Sequence, residues 1–284
     1  LRISRALQQQ LDEFIDAGLR EDVGPGDYTS LACIDPASRS TARLLVKEAG
    51  IVAGVEVARR ILKKVDPKAQ IKVLIPDGSP VRYGDIVFTV RGNSQALLRA
   101  ERLLLNTMQR MSGIATLSRR YADEVADLPV TVLDTRKTTP LIRFLEKWAV
   151  RLGGCANYRD GLYARFMIKD NHIDACGSIT DAIARIRAYN KKHKLGLKST
   201  IEVRNLDELN QVLAVGGVDR IMLDNFTLAK MRRAVELIGG RYEVEASGGV
   251  TLRRLRKIAE TGVDFISVGA LTHSARALDM SLKL

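Results

Sequence analysis

Residues 201–224 read IEVRNLDELNQVLAVGGVDRIMLD. A short β-branched run, IEV, gives way to a helical segment at 206–215, and a second apolar run, IMLD, closes the unit. The same alternation extends in both directions. Apolar runs stand at TVLD (131–134), FMIK (166–169), VEA (244–246) and FISV (265–268), separated by helical segments at 141–151, 180–192, 229–238 and 252–261. Ser178 with Asp181 makes a capping-box pattern at the start of one of these helices. Strands this apolar are buried on both faces, so repeated β–α units imply a parallel sheet covered by helices. The runs number six, which leaves an α/β barrel and an open α/β sheet as alternatives.

Upstream the texture differs. Leu7, Leu11, Phe14, Ile15 and Leu19 recur at helical spacing over 4–20, and Gly24-Pro25-Gly26 then breaks the chain. Residues 42–92 carry short strand signals (ARLLVK, IVAG, IKVLI, DIVFTV) around a helical segment at 55–65 and a Pro-Asp-Gly turn at 76–78. An apolar helix is expected over 94–112, opening on a serine cap. The change in texture places a domain boundary near residue 115.

The 284 residues are 46% apolar and 27% charged, an ordinary soluble composition that can bury a core without staples. No run approaches the roughly 18 apolar residues of a membrane span, and the N-terminal stretch lacks the apolar region of a secretory signal. Cys33, Cys155 and Cys176 fit neither a zinc pattern nor a disulfide framework; they read as structural thiols in a reducing cytoplasm. Lysine and arginine outnumber aspartate and glutamate by 45 to 33, which favours anionic partners. The basic residues are dispersed, apart from KKHK (191–194) and RRLRK (253–257), and only 5% of residues are aromatic. No nucleic-acid module signature is present, so small phosphorylated or carboxylated molecules are the better match, and both basic clusters read as solvated helix faces.

Each strand of the second part ends at a polar or glycine-rich feature: Arg136-Lys137, Lys169-Asp170-Asn171-His172, Glu202, Asp224-Asn225, Ser247-Gly248-Gly249 and Gly269-Ala270. In a parallel barrel these ends share one face, where active sites are built. Arg136, Lys137 and Lys169 supply cations, and arginine grips a carboxylate or phosphate bidentately. Glu202 and Asp224 offer oxygens suited to Mg²⁺, which takes few protein carboxylates together with substrate phosphates. The two glycine motifs precede helix starts, where free N–H groups attract phosphate. Singly each has a bland reading, as a glycine turn or a surface ion pair. Together they predict a phosphorylated substrate carrying pyrophosphate. His193 reads as solvated, whereas His172 and His273 fit either scaffold or ligand contact.

Nine motifs resemble one family, quinolinate phosphoribosyltransferase. They include EDVGPGDYTS (21–30), ERLLLNTMQRMSGIAT (101–116), DTRKTTP (134–140), IKDNHI (168–173), MLDNF (222–226), EASGG (245–249) and SVGALTHS (267–274), and together cover nearly the whole chain. The resemblance implies an N-terminal α/β sandwich over 1–115 joined to an open barrel of about seven strands over 116–273, with 274–284 returning to the first domain. It implies transfer of phosphoribosyl from phosphoribosyl pyrophosphate (PRPP) to quinolinate with Mg²⁺, giving nicotinate mononucleotide, pyrophosphate and carbon dioxide in NAD biosynthesis. By the same match Arg136, Arg159 and Lys169 bind the quinolinate carboxylates beside Tyr158. Arg102 reaches in from the neighbouring subunit of a homodimer or an assembly of dimers. Lys137, Glu202 and Asp224 serve PRPP and its metal, while Ser247, Gly248, Gly249, Gly269 and His273 hold the 5′-phosphate region. Two positions depart from the family pattern: Tyr158 stands where histidine is usual, keeping a hydrogen-bonding tip without the imidazole, and Ala164 where aspartate is usual.

Overall fold

A computed structural model describes residues 4–284. Two compact units emerge: one takes residues through Arg119, 139–154 and 275–284, the other 120–138 and 155–274.

The first unit begins with α1 (Arg5–Val23), capped by the Ser4 hydroxyl, which accepts the Leu7 N–H at 3.2 Å. The short α2 (Tyr28–Cys33) follows, then β1 (Arg39–Val46), β2 (Gly50–Ile51), α3 (Val55–Val65), β3 (Gln70–Val73), β4 (Pro80–Val81) and β5 (Ile86–Asn93). Ala42, Leu44 and Val46 of β1 are buried, the period-2 pattern of a half-buried sheet strand. Asp77, in the Pro-Asp-Gly turn, also caps α3 by accepting the Val55 and Glu56 N–H groups, while burial pushes its carboxyl pKa up.

Helix α4 (Ser94–Glu124) runs well past the expected end at 112. Gly113 is no helix stop: a Cβ there would lie 1.9 Å from the Arg276 carbonyl oxygen, so glycine lets the C-terminal segment cross the helix closely.

In the second unit, β6 (Thr131–Leu133) opens the parallel sheet. After it, α5 (Arg143–Leu152) belongs to the first unit, where its buried Glu146 accepts from Arg110 of α4 at 2.7 and 3.0 Å. The barrel series continues with β7 (Phe166–Ile168), α6 (Asp170–Cys176), α7 (Ile179–Lys192), β8 (Ser199–Val203) and α8 (Leu206–Val215). It ends with β9 (Arg220–Asp224), α9 (Leu228–Ile238), β10 (Glu243–Ser247), α10 (Leu252–Ala259), β11 (Phe265–Ser267) and the one-turn α11 (Ala270–His273). The last strand, β12 (Met280–Lys283), pairs antiparallel with β1, completing the first unit's sheet in the order β12-β1-β5-β3.

Parallel strands connected by helices wind in one direction. Here β7 to β11 follow one another in space, and β6 lies beyond β11, giving the order β6-β11-β10-β9-β8-β7. The first strand thus closes on the last, as in a barrel. Between β6 and β7 a seventh strand survives only as one parallel bridge, Leu133 to Ala156. The unit is an open α/β barrel.

Pleat parity sorts the strand residues into layers. Lys169, Glu202, Asp224 and Ser247 stand at the carboxyl ends, and one step below lie Met167, Thr200, Met222 and Glu245. A further step down, the buried Arg220 binds Glu243 at 2.8 Å and Glu245 at 2.9 Å, with its guanidinium 3.6 Å from the Phe265 ring centre. Burial works against the Arg220 charge, but the two carboxylates outweigh it and raise its pKa. Among the described residues no helix is long and apolar enough to cross a membrane.

Candidate active site

The carboxyl ends of β6 to β11 surround a cavity of about 880 Å³ lying wholly within the second unit. Arg136, Lys137, Tyr158, Arg159, Lys169, Glu202, Asp224, Ser247, Gly248, Gly249, Gly269 and His273 all line it. Residues up to 137 positions apart meet because parallel strands deliver all their ends to one face. Arg102 lies elsewhere: on α4 in the first unit, exposed, with Glu101 at 3.7 Å.

Four cationic side chains and two carboxylates line the cavity. Arg136 follows β6, and its Nε is buried without a hydrogen-bond partner. Arg159 donates from Nη1 to the Arg165 carbonyl at 3.1 Å, and its Nη2 reaches Met167 Sδ at 3.4 Å. Burial, and then the positive charge of Arg136, lower the Arg159 pKa. A buried donor without a partner is costly, and so are neighbouring desolvated cations, so this wall is built for an anion.

Tyr158 stands beside them, but its hydroxyl is engaged with Thr200 Oγ1 at 2.9 Å. Burial, followed by the charge of Glu245, raises its pKa, so it stays a neutral phenol. The guanidinium groups of Arg165 and Arg220 lie 5.9 and 5.6 Å from its ring centre, so this position brings a neutral aromatic ring where the family it resembles usually has a chargeable imidazole.

The glycine motifs after β10 and β11 shape a second wall. Gly248 has φ +92°, and a Cβ there would come within 2.2 Å of Asn225 Oδ1, so the turn requires glycine twice over. Gly269 leaves room for Lys137 and His273, whose side-chain atoms lie 3.1 Å from where its Cβ would be. The Lys137 carbonyl accepts from Thr272 Oγ1 at 2.7 Å, and His273 Nδ1 pairs with Ser274 Oγ at 2.7 Å. This wall combines small residues, backbone and cations, the chemistry of a phosphate site.

Glu202 and Asp224 sit on adjacent strands between the two walls. Glu202, 13% exposed, is paired with Lys169 at 3.2 Å, and the opposite charges offset each other. No cluster of three metal-ligating side chains occurs among the described residues. This donor set fits a divalent ion carried in with substrate phosphates and not a closed protein cage.

His172 accepts the Lys169 N–H on Nδ1 at 3.0 Å and serves as scaffold, and His193 is exposed against Tyr189. The cavity also includes Thr135, Met167, Met222, Thr251 and Ser267, which were not among the expected site residues. Period-2 spacing from Lys169 and Asp224 carries the signal for the two methionines. Thr135 lies within DTRKTTP and Ser267 within SVGALTHS, and Thr251 follows no sequence pattern.

Comparisons with known proteins cover the whole fold. The quinolinate phosphoribosyl transferase N-terminal domain matches residues 27–112 and the C-terminal domain residues 114–283. A chloroplastic nicotinate-nucleotide pyrophosphorylase (carboxylating) from Arabidopsis thaliana is 45% identical, over 96% of this chain and 82% of its own. A probable nicotinate-nucleotide pyrophosphorylase from Synechocystis is 42% identical, over 96% and 92%. The crystal structure of NadC from Streptococcus pyogenes superposes with a TM-score of 0.92 at 39% identity, covering 97% of this chain and 96% of that one.

Proposed function

This chain belongs to the quinolinate phosphoribosyltransferase family, and from that premise we infer how its cavity works. The enzyme joins quinolinate to PRPP with decarboxylation, a step of NAD biosynthesis. The pyridine nitrogen bonds to C1′ of the ribose as the bond to pyrophosphate breaks. The bond from ring C2 to its carboxylate then breaks, carbon dioxide leaves, and C2 takes a proton.

The observation that carries the assignment of residues is the desolvated pair Arg136 and Arg159, the first with a buried Nε that has no partner. They hold the quinolinate carboxylates, and Lys169 joins them by leaving Glu202. The same cations stabilise the electron pair left on C2. Lys137, Ser247, Gly248, Gly249, Gly269 and His273 hold the phosphoribosyl group. Glu202 and Asp224 would hold Mg²⁺, which stabilises the departing pyrophosphate. No protein nucleophile is required, since positioning and electrostatics suffice. A homodimer or an assembly of dimers, with Arg102 entering the neighbouring subunit's cavity, accounts for an exposed arginine outside the lining. Cys33, Cys155 and Cys176 form no disulfide among the described residues, which supports a reducing, cytoplasmic setting.

Purified protein with quinolinate, PRPP and Mg²⁺ is expected to release carbon dioxide and nicotinate mononucleotide, and to depend on the metal. The neutral Tyr158 favours one further comparison, because a related monocarboxylate acceptor is the competing reading. Nicotinate leaves part of the cation wall unpaired and is expected to react far more slowly. Faster turnover of nicotinate would replace the acceptor assignment.

A further inference from the structure

Arg136 and Arg159 repel each other, yet both line the cavity, so something must fix their separation. Asp134, two residues before Arg136, is fully buried. Its Oδ2 accepts from Asn157 Nδ2 at 2.6 Å and its Oδ1 from the Tyr158 N–H at 2.8 Å. The backbone adds only a short ladder: Ala156 N–H to the Val132 carbonyl at 2.9 Å, and Asp134 N–H to the Ala156 carbonyl at 3.0 Å.

A full strand at this place would set the register of 156–159 through a run of main-chain bonds. Here the strand is reduced to one bridge, and the Asp134 carboxylate supplies two bonds in its stead. The connection is direct, since Asp134 precedes Arg136 by two residues and Tyr158 precedes Arg159 by one. Thr200 anchors the far end of the Tyr158 ring.

We propose that Asp134 is a positioning residue, which fixes the spacing of Arg136 and Arg159 so that the pair grips adjacent carboxylates on one ring. This rests on the reading of the cation wall given above. Asp134 does not touch substrate; it acts through the two arginines.

Asp134→Asn removes the charge and turns one of the two acceptor atoms that meet Asn157 Nδ2 and the Tyr158 N–H into a donor, so at least one of these clamp bonds is lost. The KM for quinolinate is expected to rise about tenfold, the size of one lost hydrogen bond to a charged group. The KM for PRPP, bound by the glycine wall, is expected to stay within about twofold. The double variant Asp134→Asn with Asn157→Asp restores both bonds with their polarity exchanged. The amide introduced at position 134 accepts the Tyr158 N–H on its oxygen and donates from its nitrogen to the carboxylate introduced at position 157. This variant is expected to recover most of the quinolinate KM.

Arg136→Ala and Arg159→Ala are measured alongside, with melting temperatures for every variant. If the arginine variants weaken quinolinate binding while Asp134→Asn leaves its KM within twofold, the positioning role is overturned. The same holds if Asp134→Asn raises both KM values equally and the double variant recovers neither. If the arginine variants bind quinolinate as wild type does, the reading of the cation wall itself fails.

Discussion

Arg159→Met keeps a long side chain against Met167 and removes the charge. The guanidinium has a carbonyl at 3.1 Å and a thioether at 3.4 Å as partners, and burial, then Arg136, lower its pKa. Both work against the charge, and a bound anion offsets them. Hydrogen bonds to a charged group contribute about 1.5–3 kcal/mol each, so losing one from a carboxylate weakens binding by about 1.5–3 kcal/mol, or roughly 10- to 140-fold in Kd. Stability should move the other way or not at all, because a desolvated cation is replaced by an apolar chain. Calorimetric titration with quinolinate and a ligand-free thermal melt measure the two halves. A Kd within threefold of wild type would refute the reasoning. So would a melting temperature lowered by more than about 4 °C, the shift given by about 1 kcal/mol in a chain of this size.

Gly248→Ala forces a side chain into φ +92° and against Asn225; it is expected to cost about 1–3 kcal/mol and to raise the KM for PRPP, and unchanged PRPP kinetics would remove the glycine turn from the phosphate wall. Gly113→Ala drives a methyl group into the Arg276 carbonyl, and chemical denaturation should show a loss of roughly 1–3 kcal/mol. Asp127 accepts from Arg256 at 2.7 and 2.9 Å, which holds its pKa at about 2, below the ordinary 3.8. A depressed carboxyl pKa stabilises the fold above the ordinary value, and that contribution disappears as pH falls from about 4 towards 2. The melting-temperature difference between wild type and Asp127→Asn should therefore be present at pH 6 and largely lost by pH 2; a constant difference would contradict the pairing.

The β–α alternation after residue 130 and the polar strand ends are local features, which is why both were legible in the sequence. Apolar runs separated by helical periods can be buried only in a parallel sheet covered by helices, and such a sheet must present all its strand ends on one face. Placing Arg136, Lys169, Glu202, Asp224 and Ser247 around one cavity thus required no coordinates. The motif resemblance then narrowed the anions that such a cavity meets.

Other features depend on contacts between residues far apart in the chain, and these only the tertiary structure decided. The helix expected to end at 112 runs on to Glu124, through Gly113, where the C-terminal segment crosses it. The seventh strand carries no apolar run, because a single bridge to Leu133 is all that remains of it. Tyr158 reads as a substrate contact, but its hydroxyl meets Thr200, 42 positions away, and Lys169 meets Glu202, 33 positions away. Sequence determines which groups a chain can bring to the barrel mouth, because periodicity and strand-end chemistry are set by near neighbours. Which of those groups remain unpaired, and so available to an anion, is decided by packing between strands, where each hydrogen bond made inside the protein removes a donor from the site.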